Sequence, residues 1–359
     1  MCGIAGWIDC RRLCDSAAIM RRMAQTMVPR GPDSGGFYTD DNCALAHRRL
    51  SVIDPARSAQ PMTRKTALDS YTIVYNGELY NTAEIRSELE STGISFTSSG
   101  DTEVLLWAYI TWGEACLDKL NGIYAFAVWQ EKEKQLFLAR DRIGVKPLFY
   151  YEYAGGLIFA SEIKTLLAHP MIEPVVDRDG IAQIMLLGPA RKPGSGIFKG
   201  IRELRPAECA MYCRCGLRKR TYWSLHALPH KETAEETEQH IAYLLTDAIK
   251  RQLVSDVPLC TMLSGGLDSS IISAVAAKEF EQNGRQLTTY SIDYKDNEKN
   301  FHSSKFQPDM DAPWIRKMSA FIGSKHINVE VDTPALTDAL ELSTYARDLP
   351  GMADVDSSL

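Results

Sequence analysis

The sequence has little excess positive charge, no long apolar run and no basic leader. Its 359 residues carry 40 Lys and Arg against 46 Asp and Glu, a formal net charge of -6. Nucleic-acid binding draws on a basic excess, so no nucleic-acid partner is expected. No apolar stretch approaches the roughly 18 residues of a membrane span, so no membrane partner is expected either. The apolar start is too short for a secretory signal and lacks its basic residues. The expected location is therefore cytoplasmic, where the nine cysteines stay reduced. Cys209, Cys213 and Cys215 form C-x3-C-x-C. That is not a zinc-ligand spacing, no fourth ligand is evident, and the segment alternates like a strand.

What is present is a globular composition, 45% hydrophobic and 24% charged, in a chain long enough for two domains. Its organising stretch is the start, Met1-Cys2-Gly3-Ile4-Ala5-Gly6-Trp7-Ile8. Methionine before a small residue is normally trimmed, which makes Cys2 the expected N-terminus. One residue then carries a thiol and a free α-amine. The amine, with a pKa of about 7.7–8.0, can act as a base, and the thiol, at roughly 8.5, needs modest help to ionise. Nucleophile and base are thus joined in one residue. The plainer reading is a small apolar residue opening the strand Gly3–Ile8.

Residues 16–28 carry Ile19, Met23 and Met27 at helical spacing, stopped by Pro29. Arg30-Gly31-Pro32-Asp33-Ser34-Gly35-Gly36 reads as a turn or as a glycine-hinged flap over a substrate. In Leu45–Asp54 two arginines interrupt an apolar strand-like run, and alternation puts Arg48 and Arg49 on opposite faces. An inward arginine needs an anion, either a substrate carboxylate or a structural ion pair. The run 71–75 ends in Asn76-Gly77-Glu78, a hairpin signal that here leads into a helix instead. Asn81 with Glu84 resembles a capping box, followed by Ile85 and Leu89. An Asn side chain and a Gly N–H at a strand end are also the parts of an oxyanion hole. Asp101 either caps the helix 104–112 or pairs with a substrate ammonium. Strands 123–129, 135–140, 147–153 and 157–160 and a helix at 161–168 then suggest a layered α+β domain.

Cys2-Gly3-Ile4, Arg30-Gly31-Pro32-Asp33, Ala46-His47-x-Arg49-Leu50-Ser51, Asn76-Gly77-Glu78 and Gly100-Asp101-Thr102-Glu103 together resemble the class II glutamine amidotransferases. Asp141-Arg142-x-Gly144-x-Lys146-Pro147-Leu148 and Ala160-Ser161-Glu162-Ile163-Lys164 look like the end of the same domain. The resemblance implies an αββα sandwich of the N-terminal-nucleophile (Ntn) hydrolase type. It implies that Cys2 attacks the side-chain amide of glutamine while Asn76 and Gly77 hold the oxyanion. Arg49 would grip the α-carboxylate, and Asp101 with the backbone of Glu78 the α-amine. Leu50, Ser51, Val52 and Ile53 would line the pocket.

In the second half, 189–200 is rich in Pro and Gly, and strands at 201–204, 208–212 and 219–223 cap the first domain. Residues 233–253 read as an amphipathic helix with Glu236 three residues after a Thr cap. An apolar strand then ends in Ser264-Gly265-Gly266-Leu267-Asp268-Ser269-Ser270, ahead of a helix. Strand, glycine loop and helix N-terminus make a phosphate cradle, and the Walker pattern is absent. Asp268 is the candidate Mg²⁺ ligand. The βα repeats 287–293, 313–322, 326–331 and 334–346 predict a doubly wound parallel sheet. The loop resembles the PP-loop of ATP pyrophosphatases, which would put Leu263 and Ile292 near the adenine.

The order of these parts is that of glutamine-hydrolysing asparagine synthetases. That resemblance implies ATP and Mg²⁺ as cofactors, aspartate as the acceptor activated as β-aspartyl-AMP, and a homodimer. The stretch from Asp348 to Leu359 shares it. The family's later Ser-Gly-Glu-Gly-x-Asp-Glu signature is missing, so the α/β parallel-sheet adenine-nucleotide domain is expected to be incomplete and the chain truncated. The expected domains are 1–190, a connecting segment 191–232, and 233–359. The alternatives are a glutaminase alone and a related ligase that amidates another carboxylate.

Overall fold

A computed structural model describes residues 1–11, 16–188, 190–305 and 308–350. Pro189, at the head of the expected linker, and 351–359, within the stretch sharing the family resemblance, lie outside them. The chain divides into two compact units, Met1–Ala227 and Leu228–Leu359.

The first unit runs β1 (Gly3–Asp9), α1 (Ser16–Thr26), β2 (Ser34–Thr39), β3 (Cys43–Arg49), β4 (Met62–Lys65), β5 (Ser70–Leu79), α2 (Thr82–Ser91), α3 (Asp101–Trp112), α4 (Cys116–Lys119), β6 (Gly122–Gln130), β7 (Gln135–Arg140), β8 (Phe149–Tyr153), β9 (Gly156–Ala160), α5 (Ile163–Leu167), α6 (Arg178–Leu187), β10 (Ile201–Glu203), β11 (Glu208–Cys213) and β12 (Gly216–Thr221). Its strands form two six-stranded sheets, ordered β10-β8-β9-β1-β3-β2 and β12-β11-β7-β6-β5-β4. Every pairing in them is antiparallel. The expected connecting segment thus supplies one edge strand to the first sheet and two strands to the second.

Period-two alternation builds the layers. Val74, Ala125, Ala127 and Leu138 face Ile4, Ile8, Leu45 and Phe159 in a core between the sheets. Their neighbours Ile73, Tyr75, Tyr124, Phe126 and Phe137 turn the other way, onto Ile85 and Leu89 of α2 and Val104 and Leu105 of α3. On the far side of the first sheet, α1 and α5 pack against β1, β3, β8 and β9. The result is the expected αββα sandwich. α1 buries Met20, Met23 and Ala24, with Met27 just beyond its end. Ile19, expected in that stripe, is only half-buried, and Met20 takes its place.

β1 lies inside the first sheet, between β9 and β3, and all seven of its residues are buried. From Gly3 to Ile8 it is therefore continuously apolar rather than alternating. Gly6 is small of necessity: a Cβ there would stand 2.2 Å from the Phe159 ring and 2.8 Å from Leu45.

The second unit runs α7 (Ala234–Arg251), β13 (Cys260–Met262), α8 (Leu267–Gln282), β14 (Thr288–Tyr294), α9 (Asn297–Asn300), α10 (Asp311–Ile322), β15 (Lys325–Val331) and α11 (Thr333–Arg347). β13, β14 and β15 form a parallel sheet in that order. The Thr233–Glu236 capping box of α7 is formed as its sequence predicts. Among the described residues no helix is long and apolar enough to cross a membrane.

Candidate functional site

A cavity in the first unit is lined by Cys2, Arg49, Leu50, Val52, Ile53, Asn76, Gly77, Glu78 and Asp101, together with Met1, Ser58, Gln60, Tyr75, Thr102 and Lys146. Five separate segments converge there: the start of β1, the end of β3 with its following loop, the C-terminal half of β5, the first turn of α3, and the loop between β7 and β8 that carries Lys146. Ser51 is not on the cavity wall. Its backbone N–H donates to Asp33 Oδ2 at 2.7 Å.

Cys2 is held by its backbone. Arg30 Nε donates to the Cys2 carbonyl at 2.9 Å, and the same guanidinium pairs with Glu162 at 3.2 Å. Ile4 N–H donates to Ser161 Oγ at 3.0 Å, and Ser161 N–H returns a bond to the Ile4 carbonyl at 2.9 Å. The Arg30 and Ser161-Glu162 motifs thus clamp the strand that carries the thiol. Cys2 Sγ donates to the Leu50 carbonyl at 3.5 Å. Burial raises its pKa above the ordinary thiol value, against smaller opposing effects of that bond, the terminal ammonium and Arg49. With Met1 in place, the terminal ammonium donates to the Arg30 carbonyl at 3.0 Å, and Lys146 Nζ lies 3.3 Å from Met1 Sδ.

Asn76 is buried in β5, and its Nδ2 has no hydrogen-bond partner among the described residues. A buried donor left unmade costs about 1–3 kcal/mol, so a cavity holding one is prepared for an acceptor. At Gly77 a Cβ would stand 2.3 Å from the Ile123 carbonyl oxygen and 2.6 Å from the Tyr75 ring, so only glycine fits. The Asn-Gly pair does not turn the chain: β5 runs through it, paired Asn76 to Ala125 and Gly77 to Tyr124.

Arg49 is the inward one of the two arginines, and its guanidinium meets no anion among the described residues. Nη1 donates to the Pro55 carbonyl at 2.9 Å, and Nη2 to those of Ile53 and Asp54 at 3.0 and 2.7 Å. These carbonyls meet the need for a partner and fix the 50–55 loop against the cavity. The stretch from Arg30 is neither a free turn nor a flap: Ser34, Gly35 and Gly36 pair with Arg49, Arg48 and His47 as the first half of β2. Asp101 follows the α3 N-cap, Gly100. Its Oδ2 accepts the Tyr75 hydroxyl at 2.8 Å and the Leu79 N–H at 3.2 Å. Burial outweighs both bonds and pushes its pKa up to about 6. The capping box expected at Asn81 is not formed. Asn81 Nδ2 donates to the Lys119 carbonyl and its Oδ1 accepts from Asn121 N–H, both at 2.9 Å.

Among the cavity residues without an assigned role in the sequence are Gln60, Tyr75 and Lys146. Gln60 accepts the Tyr75 N–H at 2.6 Å and donates to Thr102 Oγ1 at 3.2 Å. Tyr75 orients Asp101. Lys146 is set by Asp141, whose Oδ2 accepts the Lys146 N–H at 2.9 Å. Of the three, only Lys146 left a signal, as part of the Asp141–Leu148 motif.

In the second unit Leu263 closes β13, its N–H on the Tyr290 carbonyl at 2.7 Å, and Ile292 lies within β14. The loop between β13 and α8 is closed by Ser264 and Ser269, whose hydroxyls meet at 3.0 Å. Ser270 N–H bonds the Gly266 carbonyl in the first turn of α8. Gly265 has φ +78, and Gly266 is the helix N-cap. Asp268 is exposed in the first turn. Among the described residues no group of three or more His, Cys, Asp or Glu could hold a metal ion. Asp268 alone does not make a Mg²⁺ site. Cys209, Cys213 and Cys215 lie on and beside β11, the first of them buried.

Residues 1–223 match the family described as the glutamine amidotransferase domain, and residues 240–359 the family described as asparagine synthase. Asparagine synthetase [glutamine-hydrolyzing] 3 of Bacillus subtilis is 50% identical, over 100% of this chain and 59% of its own length. Asparagine synthetase [glutamine-hydrolyzing] 1 of the same bacterium is 34% identical over 82% of this chain and 46% of its own length. Asparagine synthetase B [glutamine-hydrolyzing] of Escherichia coli is 32% identical over 77% and 45%. The chain thus spans less than two thirds of each of these relatives.

Proposed function

The chain belongs to the glutamine amidotransferase domain family through its residues 1–223, and on that premise we propose that Cys2 releases ammonia from glutamine to amidate aspartate, activated by ATP in the second unit, giving asparagine. The observation that carries the first half of this reading is Asn76 Nδ2, a buried donor without a partner, on the cavity that also holds Cys2. The second half rests on the Ser264–Ser270 loop and on the match of residues 240–359 to the asparagine synthase family.

Removal of Met1 frees the α-amine of Cys2. The amine takes the thiol proton, and Sγ bonds to the side-chain amide carbon of glutamine. The carbonyl oxygen becomes an oxyanion, received by Asn76 Nδ2 and the Gly77 backbone. The amine returns the proton to the amide nitrogen, the C–N bond breaks and ammonia leaves. Water then hydrolyses the thioester, restoring the thiol and giving glutamate. Arg49 and Asp101 hold the substrate's α-carboxylate and α-amine, with Leu50, Val52, Ile53 and Glu78 shaping the pocket around them and Ser51, off the wall, tying their loop to Asp33. In the second unit Ser264, Gly265, Gly266, Ser269 and Ser270 receive the ATP phosphates. Leu263 and Ile292 flank the adenine.

One reaction tests the reading: the processed chain with glutamine, aspartate and Mg-ATP, assayed for glutamate and asparagine. Both products are expected from the wild type. Cys2→Ala should lose both with glutamine and keep asparagine formation from added ammonia. Glutamate without asparagine reduces the function to a glutaminase, and no glutamate sinks the reading.

A further inference from the structure

On the edge of the sandwich away from the Cys2 cavity, we infer a second binding site, for a phosphate dianion or a phosphomonoester. β10 and β12 are edge strands of the first and second sheets. Arg202 on β10 stands opposite Tyr150 on β8, and Lys219 on β12 stands opposite Ala210 on β11. Tyr150 and Ala210 both face the core between the sheets. Residues directly opposite each other in an antiparallel pair share a face. Arg202 and Lys219 therefore point into the gap between the two sheets, where a core-facing position at an edge normally carries an apolar side chain. They line a cavity of about 500 Å³ that Tyr150 and Arg205 also border.

The charges there are unbalanced. Of the carboxylates on its wall, Glu203 is paired with Arg140 and Arg191, at 3.0 and 3.3 Å. Asp179 is paired with Lys192 at 3.1 Å. Asp177 is left as the cap of α6, accepting from Gly180 N–H at 2.9 Å. Arg202, Arg205 and Lys219 form no ion pair with any described residue, so three cations stand against one carboxylate. The excess matches a dianion, and two guanidinium forks suit the oxygens of a phosphoryl group.

The second sign is Tyr150. It is 2% exposed, and its hydroxyl has no hydrogen-bond partner among the described residues. Lys219 Nζ lies 5.7 Å from the centre of its ring. A buried hydroxyl without a partner is a cost to the empty protein that an acceptor in the cavity would remove.

The test is calorimetric titration of the full chain with inorganic phosphate and, separately, glycerol 3-phosphate, at constant ionic strength. Saturable binding of at least one is expected. Arg202→Ser and Lys219→Ser should each weaken it by about tenfold, as expected for the loss of one charge-assisted bond. Both residues are exposed, so both variants should fold. Tyr150→Phe should weaken binding while leaving Tm unchanged or raised. A hydroxyl serving only the fold would do the reverse. Binding of inorganic phosphate alone identifies the free anion as ligand; binding of the ester identifies a phosphorylated small molecule. Absence of saturable binding to either probe overturns the site. So does binding that none of the three variants weakens, which would put the phosphate elsewhere, for instance on the Ser264–Ser270 loop.

Discussion

Tyr75 and Leu79 both donate to one oxygen of Asp101, at 2.8 and 3.2 Å, in a site buried enough to hold that carboxyl near pKa 6. If Asp101 must be ionised to hold the substrate ammonium, kcat/KM for glutamine should fall about tenfold per pH unit below 6. Asp101→Asn should flatten that limb at a much lower level. A profile unchanged by the substitution would remove Asp101 from substrate binding.

The same carboxyl sets a stability trend. Its folded pKa lies above the ordinary 3.8, so the native state binds this proton more tightly than the unfolded chain. The stabilisation is full below pH 3.8 and is lost as pH rises through 6, a change of roughly 3 kcal/mol. A carboxamide oxygen can accept both bonds without the buried charge. Asp101→Asn should therefore melt higher than wild type at pH 7.5, with the gap narrowing at pH 5. Denaturant titrations at the two pH values check the sign.

Asn76→Ala should lower glutaminase kcat by about 100- to 1000-fold, the usual cost of one oxyanion donor, with KM little changed. Loss confined to KM would make Asn76 a ground-state contact instead.

Cys2 alkylation should report removal of Met1. Burial keeps the thiol protonated in the Met1-bearing chain, so iodoacetamide at pH 7.5 should label it more slowly than free cysteine. Treatment with methionine aminopeptidase should speed labelling about tenfold or more, read by mass spectrometry at Cys2. Equal rates before and after would show that the α-amine does not activate the thiol.

Gly6→Ala should destabilise the first unit by about 1–3 kcal/mol, because the new methyl must displace the Phe159 ring inside a packed core. A change under about 0.5 kcal/mol in denaturant titration would show that the ring moves freely.

The chemistry was more legible in the sequence than its convergence. Cys2, Arg49, Asn76, Gly77 and Asp101 each carry a side chain or backbone suited to glutamine, and each could be picked out locally. What gathers them is the pairing of β1 with β3 and of β5 with β6, which local pattern does not reveal. The residues misread are those whose partners are distant or backbone groups. Asn81 bonds Lys119 and Asn121 rather than capping α2. β2 opens with Ser34-Gly35-Gly36, which backbone pairing to β3 holds as a strand although the residues are turn formers. α6 has an apolar stripe but buries only Gly180 and Gln183, so its sequence pattern had little core to report.

The interior position of β1 also bears on synthesis at the ribosome. Its partner β3 emerges within the first 49 residues, but β9, on its other side, is complete only at residue 160. At 5–20 residues per second that is a wait of roughly 6–22 s. Through that interval the segment bearing Cys2 is an apolar strand with one edge unpaired, exposed to neighbouring nascent chains. A ribosome stalled before β9 should therefore present a thiol that alkylating reagents reach but glutamine analogues do not.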